Sequence, residues 1–181
     1  MLRGSVVRLR PVFESDLETL HAEMLNVEAR GPWFPLPRTS LTKLRRSFDE
    51  SGFWSPDNGI FLMVDHEDDP VGFINWERLN SDVPDVEIGY RVFVPSEMGK
   101  GITTEALRLL AGYLFDMDLA TNRLRLTIHV DNTASRRVAE KCGFTHETTS
   151  HEGWYHKGTW HDVHVFILTR TEWTSRTATE V

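Results

Sequence analysis

The 181-residue chain reads as a single α+β domain, a mixed, mostly antiparallel sheet of about seven strands with about four helices on its faces. Three observations predict it. Period-two apolar runs and helical stretches follow one another in the order β-α-α-β-β-β-α-β-α-β-β. Strands come in groups joined by short turns, as antiparallel pairs are. No internal repeat, low-complexity segment or linker divides the sequence, so the domain is expected over residues 1–173, with a polar tail, expected to fray, over 174–181.

Composition bounds the function classes. Hydrophobic residues make up 40% and charged residues 26%, which is ordinary for a soluble globular protein. A net charge of −7 argues against a nucleic-acid partner. No apolar run reaches membrane-helix length, and the first ten residues lack a secretory apolar core, so no membrane partner is expected. The single cysteine, Cys142, excludes an internal disulfide framework and fits a reducing cytoplasm.

Residues 6–12 read as the first strand, closed by Pro11. Ser15 and Glu18 then form a capping box for a helix running to about Ala29, with Leu17, Leu20 and Met24 inward. Gly31, Pro32, Pro35 and Pro37 around Trp33 and Phe34 force an irregular loop. Ser40 caps a second helix with Leu41, Leu44 and Phe48 inward. Residues 60–64 and 71–76 are strands joined by the acidic turn Asp65, His66, Glu67, Asp68, Asp69, Pro70. That turn lacks the glycine and distant glutamate of an EF-hand and reads as solvated surface.

The central feature spans residues 86–106. Its strand, residues 86–94, stops at Pro95, which has no N–H for a ladder. Gly99 and Gly101 follow, and a helix begins at Ile102 with Ala106, Leu109, Leu110, Tyr113 and Leu114 on one face. Strand, glycine loop and helix start aim backbone N–H groups and a helix dipole at an anion. The loop is neither a Walker A sequence nor G-x-G-x-x-G. Next, residues 123–130 alternate, with Leu124, Leu126, Ile128 and Val130 on one side and Arg123, Arg125, Thr127 and His129 on the other. Asn132 starts a short helix with Ala134, Val138 and Cys142 inward and Gly143 beyond its end. Strands at 145–155 and 160–168 enclose the turn His156, Lys157, Gly158, Thr159.

Three blocks stand together in order: Glu87-Ile88-Gly89-Tyr90 through Gly99-Lys100-Gly101-Ile102-Thr103-Thr104-Glu105-Ala106; Asn132-Thr133-Ala134-Ser135 with Val138-Ala139-Glu140-Lys141-Cys142-Gly143-Phe144; and residues 154–173 with Gly158, Asp162 and Trp173. They resemble the GNAT acetyltransferase superfamily, and within it the ribosomal-protein-alanine acetyltransferase (RimJ/RimL-like) branch. Ser96 departs from the superfamily's usual Gln or Arg at the start of the loop. The resemblance implies a splayed central strand pair and acetyl-CoA as co-substrate, with no metal. It implies an N-acetyltransferase whose acceptor is a primary amine, on a protein N-terminus or a small molecule. A homodimer is common in the superfamily. A non-catalytic acetyl-CoA sensor or scaffold is the alternative.

The resemblance also assigns residues. Gly99, Lys100, Gly101, Ile102 and Thr103 would cradle the pyrophosphate, and Phe93 and Val94 would pair with the pantetheine arm. Asn132, otherwise a plain helix cap, would bond a pantetheine amide. Ser135, otherwise a helical serine or a partner of that cap, would assist thiolate departure. An attacking amine with a pKa near ~10 must first lose a proton. Glu87 would take it as a buried base, unless it merely borders the sheet or pairs with Arg91 or Arg125; Glu152 is the reserve. Trp33, Trp154 and Tyr155 would line the acceptor pocket. His146, His151, His156, His161 and His164 share no one face, which argues against a metal, and Cys142 reads as core.

Overall fold

The computed structural model describes residues 1–26, 32–33, 39–80, 83–93, 95–117, 120–156 and 158–178. Its strands are β1 (Leu2–Arg3), β2 (Arg8–Pro11), β3 (Asn58–Val64), β4 (Pro70–Asn80), β5 (Val83–Val92), β6 (Arg123–His129), β7 (Thr145–His156) and β8 (Thr159–Thr169). The helices are α1 (Leu17–Leu25), α2 (Leu41–Ser51), α3 (Ile102–Met117), α4 (Thr133–Lys141) and α5 (Arg170–Thr177). The α+β expectation holds, as an eight-stranded mixed sheet in the order β1-β2-β3-β4-β5-β6-β8-β7. β5 and β6 are parallel, whereas the β1–β2, β2–β3, β6–β8 and β7–β8 pairs are antiparallel.

Two elements exceed the expected count. Residues 6–12 divide into a turn and β2, which pairs with the two-residue β1; so short a strand carries no periodicity to read. At the other end the expected frayed tail is a helix through Thr177. Its start is a capping box, in which Glu172 N–H donates to the Thr169 hydroxyl while the Glu172 carboxylate accepts from Thr169 N–H at 2.9 Å. That signal, Thr169-Arg170-Thr171-Glu172, was legible in the sequence.

The chain makes up two compact units, Met1–Trp76 with Gly89–Ala106 and Glu77–Ile88 with Leu107–Val181. In the first, Val12, Leu17, Leu20, Leu44, Leu62, Val64 and Phe93 form a buried cluster, with Met24, Leu41 and Phe48 against it. Ser40 caps α2 as expected, accepting from Lys43 N–H at 3.2 Å. The Ser15–Glu18 box does not form. Residues Glu14–Asp16 are a 3-10 turn, and Asp16 accepts from Phe13 N–H at 2.7 Å. Glu18 pairs instead with Arg45 at 2.9 Å. Buried Arg10 decides this outcome, because it holds Asp16 bidentately at 2.7 and 3.0 Å.

In the second unit the inward face of α3 is wider than one stripe. Leu107, Ala111 and Phe115 are as buried as Leu110 and Leu114, whereas Leu109 and Tyr113 are half-buried. On α4 the buried positions are Ala139 and Cys142, and Ala134 is exposed. The helix ends as expected: Gly143 has φ +90°, and Phe144 N–H reaches back to Ala139 carbonyl at 3.0 Å. β7 shifts register against β8 between His146 and Thr148 and again between Ser150 and Trp154.

Breaking the buried Arg10–Asp16 pair should be costly. Asp16→Asn leaves the guanidinium short of a counter-charge, and about 3 kcal/mol of unfolding free energy should be lost in urea titrations near pH 7. Burial opposes Asp16 ionisation, but hydrogen bonds from Arg10 and Phe13 outweigh it and hold the carboxyl below its ordinary value. That stability is present above the unfolded carboxyl pKa and is lost as pH falls through the lower folded value. The gap between wild type and Asp16→Asn should therefore narrow below about pH 4.

Candidate active site

The glycine loop belongs to the first unit. Gly99 and Gly101 have φ +81° and +87°. A Cβ at either would meet nothing within 4 Å, so glycine is required there by backbone conformation and not by space. The first intrahelical bond of α3 runs from Glu105 N–H to Gly101 carbonyl at 2.9 Å. The Ile102 and Thr103 N–H groups, ahead of it, donate to no acceptor among the described residues, as helix geometry dictates. Lys100, expected to serve a phosphate, lies 2.7 Å from Glu97. Glu105 fastens the helix start by accepting from the Ser5 hydroxyl and from Ser5, Val6 and Val7 N–H at 2.7–2.8 Å. Burial opposes its ionisation, yet these bonds prevail and keep its carboxyl below the usual range.

Phe93 is a core residue whose ring lies 6.0 Å from Phe73. Its N–H donates to Val71 carbonyl at 2.8 Å. Val94 lies outside the described residues. Trp33 is half-buried in a loop whose neighbours at 27–31 and 34–38 also lie outside them.

The second unit holds the other candidates. The β5–β6 ladder pairs Asp85 with Arg123, Val86 with Leu124 and Glu87 with Arg125. No register follows among the described residues, whereas β6 pairs with β8 along its full length. Glu87 therefore stands at the last paired position, half-buried and without an ion pair among the described residues. The alternative in which it pairs with Arg125 is not realised. Beyond β6, Asn132 Oδ1 accepts from Ser135 N–H at 3.1 Å, so the capping role is met. Ser135 is half-buried in the first turn of α4.

His129, on the side of β6 opposite Leu124, Leu126 and Ile128, is buried beneath a group of rings. Its centroid lies 4.8 Å from His161 and 5.6 Å from Trp154, and Trp154 stacks on His156 at 4.7 Å. Burial, joined by His161, holds the His129 imidazole below its ordinary pKa against the pull of Asp131. Tyr155 does not join them; it is exposed and packs on Trp160 at 5.2 Å. Cross-strand pairing thus gathers histidines that sequence spacing kept apart. His146 and His164 likewise flank the Thr149 hydroxyl, at 3.1 and 2.9 Å.

The profile of the acetyltransferase (GNAT) domain family matches residues 7–145. The chain belongs to that family. As a GNAT member it is an acetyl-CoA-dependent N-acetyltransferase. It is 28% identical to the uncharacterized N-acetyltransferase YoaA of Bacillus subtilis over 90% of this chain and 92% of that protein. It is 21% identical to a spermidine N(1)-acetyltransferase of Vibrio cholerae over 96% and 98% of the two chains. The fold matches the crystal structure of spermidine N-acetyltransferase from Vibrio cholerae in complex with CoA and spermine, with TM-score 0.82 at 21% identity over 94% of this chain and 99% of that one.

Other polar groups of this acetyltransferase hold structure. Asp162 accepts from Glu152 N–H at 2.9 Å and lies 3.0 Å from His151, which pins Glu152 at φ +50°. The Glu152 carboxylate, the reserve base, is exposed on this hairpin. In the acidic turn, Asp65 accepts from Glu67 and Asp69 N–H. Sequence reasoning missed Glu105 and His129. Glu105 sits four residues after Gly101, where a first-turn acid signals a helix-start contact. His129 closes a strand whose alternation set it with Arg123, Arg125 and Thr127, away from the apolar side.

Cys142 is buried, and desolvation pushes its thiol up to about 11. Native protein at pH 8 should resist iodoacetamide over hours while urea-unfolded protein alkylates rapidly, read by intact mass. Rapid native alkylation would overturn the assignment of Cys142 to the core.

Proposed function

We propose that this acetyltransferase transfers its acetyl group directly, in a ternary complex, to a small molecule bearing a primary amine. The observation that carries this reading is Glu87, half-buried and unpaired among the described residues where the β5–β6 ladder ends. Bound acetyl-CoA supplies the activated acyl carbon. Gly99, Lys100, Gly101, Ile102 and Thr103 take the pyrophosphate, mainly through N–H groups. Phe93 and Val94 face the pantetheine arm, with Phe93 contributing its carbonyl. Asn132 donates from Nδ2 while its Oδ1 keeps the cap. Trp33, Trp154 and Tyr155 serve the acceptor.

Glu87 takes the proton that the attacking amine must lose. Ser135 gives a hydroxyl proton to the departing sulfur and regains one from solvent, to which Glu87 releases the amine's proton, so that no net proton is gained or lost. One C–N bond is made and one C–S bond is broken. Positioning of the two reactants supplies most of the acceleration.

A second reading keeps the RimJ/RimL-like branch, with a protein N-terminal α-amine as acceptor. The order and spacing of the three sequence blocks favour it. Release of CoA on mixing with peptides and with small amines separates the two readings, and release with neither would return the chain to a sensor role. A cytoplasmic homodimer completes the proposal. The one cysteine supports the compartment, and mass by light scattering tests the dimer.

Gly101→Glu should abolish acetyl-CoA binding in calorimetry while the protein stays folded, since open space leaves only a φ cost of about 1–2 kcal/mol; unchanged affinity would remove the clamp. Glu87→Gln should lower kcat by about a hundredfold. Full kcat retained from about pH 6 to about pH 9 would show that Glu87 is not the base.

A further inference from the structure

Two successive same-face registers of the β5–β6 ladder in the second unit set a carboxylate beside an arginine. They end differently. At the first, Arg123 lies 3.2 Å from Asp85 and 3.0 Å from Glu147, so its charge is answered on both sides. At the second, Arg125 stands beside Glu87 on β5 and Ile167 on β8. Neither the Arg125 nor the Glu87 side chain makes an ion pair or hydrogen bond among the described residues. Arg125 is nevertheless half-buried, and its Nε is sequestered from solvent without a partner.

A guanidinium taken part-way out of water without an acceptor is unfavourable. Its planar fork suits a carboxylate bidentately. The face it shares is open rather than covered, since Thr127, next along β6, is exposed. Further along lies His129, beneath Trp154, His156 and His161. Four residues of strand put that ring group roughly 13 Å from Arg125. One edge of the second unit thus offers a carboxylate, a free cation among the described residues and an apolar end.

We propose that Arg125 binds an anionic group on the acceptor while Glu87 meets its amine, so that the preferred acceptor is an aminocarboxylate. This rests on Glu87 facing the acceptor, and it narrows the substrate class from primary amines at large. Arg125 is then a specificity-determining residue. It grips the substrate and takes no part in proton transfer.

The test is a series of aminocarboxylates from glycine upward, lengthened one methylene at a time, set against alkylamines of matching length. CoA release gives kcat/KM for each pair. In the wild type the aminocarboxylate should lead by roughly tenfold to a hundredfold at its best spacing, the worth of one charge-assisted contact. Arg125→Gln should bring that ratio toward unity, and Arg125→Lys should restore part of it. A wild-type ratio at or below unity at every spacing overturns the proposal, and so does a ratio that survives Arg125→Gln. If Arg125→Gln fails to fold, the wild-type series alone decides. Glu87→Gln run on the same pairs keeps the two assignments apart, because loss of the base lowers kcat with both members of a pair, whereas loss of Arg125 changes their ratio.

Discussion

Every backbone amide and carbonyl removed from water needs a partner, and leaving one without costs about 1–3 kcal/mol. The parallel ladder between β5 and β6 meets that demand for three registers and then stops at Glu87 and Arg125. From Leu126 to His129, β6 has β8 as its one ladder partner among the described residues. A strand edge left open inside a sheet is tolerable when water or a ligand's own amides complete it. The ending of this ladder therefore places a polar demand, a carboxylate and a guanidinium at one spot, from side chains and main chain that the rest of the second unit holds rigidly.

The helix that follows the glycine loop is fastened at both ends by charged side chains on backbone groups. At its start, Glu105 accepts three N–H groups and a hydroxyl of the turn between β1 and β2. Toward its end, Arg170 donates to Phe115 carbonyl at 2.7 Å and to Thr121 carbonyl at 3.0 Å, with its guanidinium 5.1 Å above the Phe115 ring. Trp173, one turn along α5, packs on the same Phe115 at 6.1 Å. Donors aimed at an anion stabilise it only if they need no rearrangement to meet it, and within the first unit the Glu105 anchor holds the helix start in place.

Much of this was legible in the chain because local chemistry and tertiary packing agree. Ser40, Asn132 and Gly143 cap their helices as their residue types demand. Strand β6 follows period two from Arg123 to Ile128. The readings that failed did so where a distant residue outbid a local one. Asp16 is drawn to Arg10, so Ser15 and Glu18 lose the cap they could have formed. His129 obeys a cross-strand ring cluster built by Trp154 and His161, which no alternation rule contains. Of the candidate site, the glycine loop was visible as a motif. The contrast between the Arg123 and Arg125 registers was not, because it depends on which strand lies beside which.

The two strands that end the sheet differ in length but share a property. β1 has two residues, and β7, with twelve, changes register twice and carries Glu152 in the left-handed region. A long straight outer strand presents an unbroken row of donors and acceptors that another polypeptide can copy, which is how fibrous association begins. Here one border is too short to template and the other is kinked twice. An acetyltransferase that exposes Tyr155 on that kinked border and Trp160 on β8 beside it thus carries large aromatics at its surface without offering its neighbours a strand to extend.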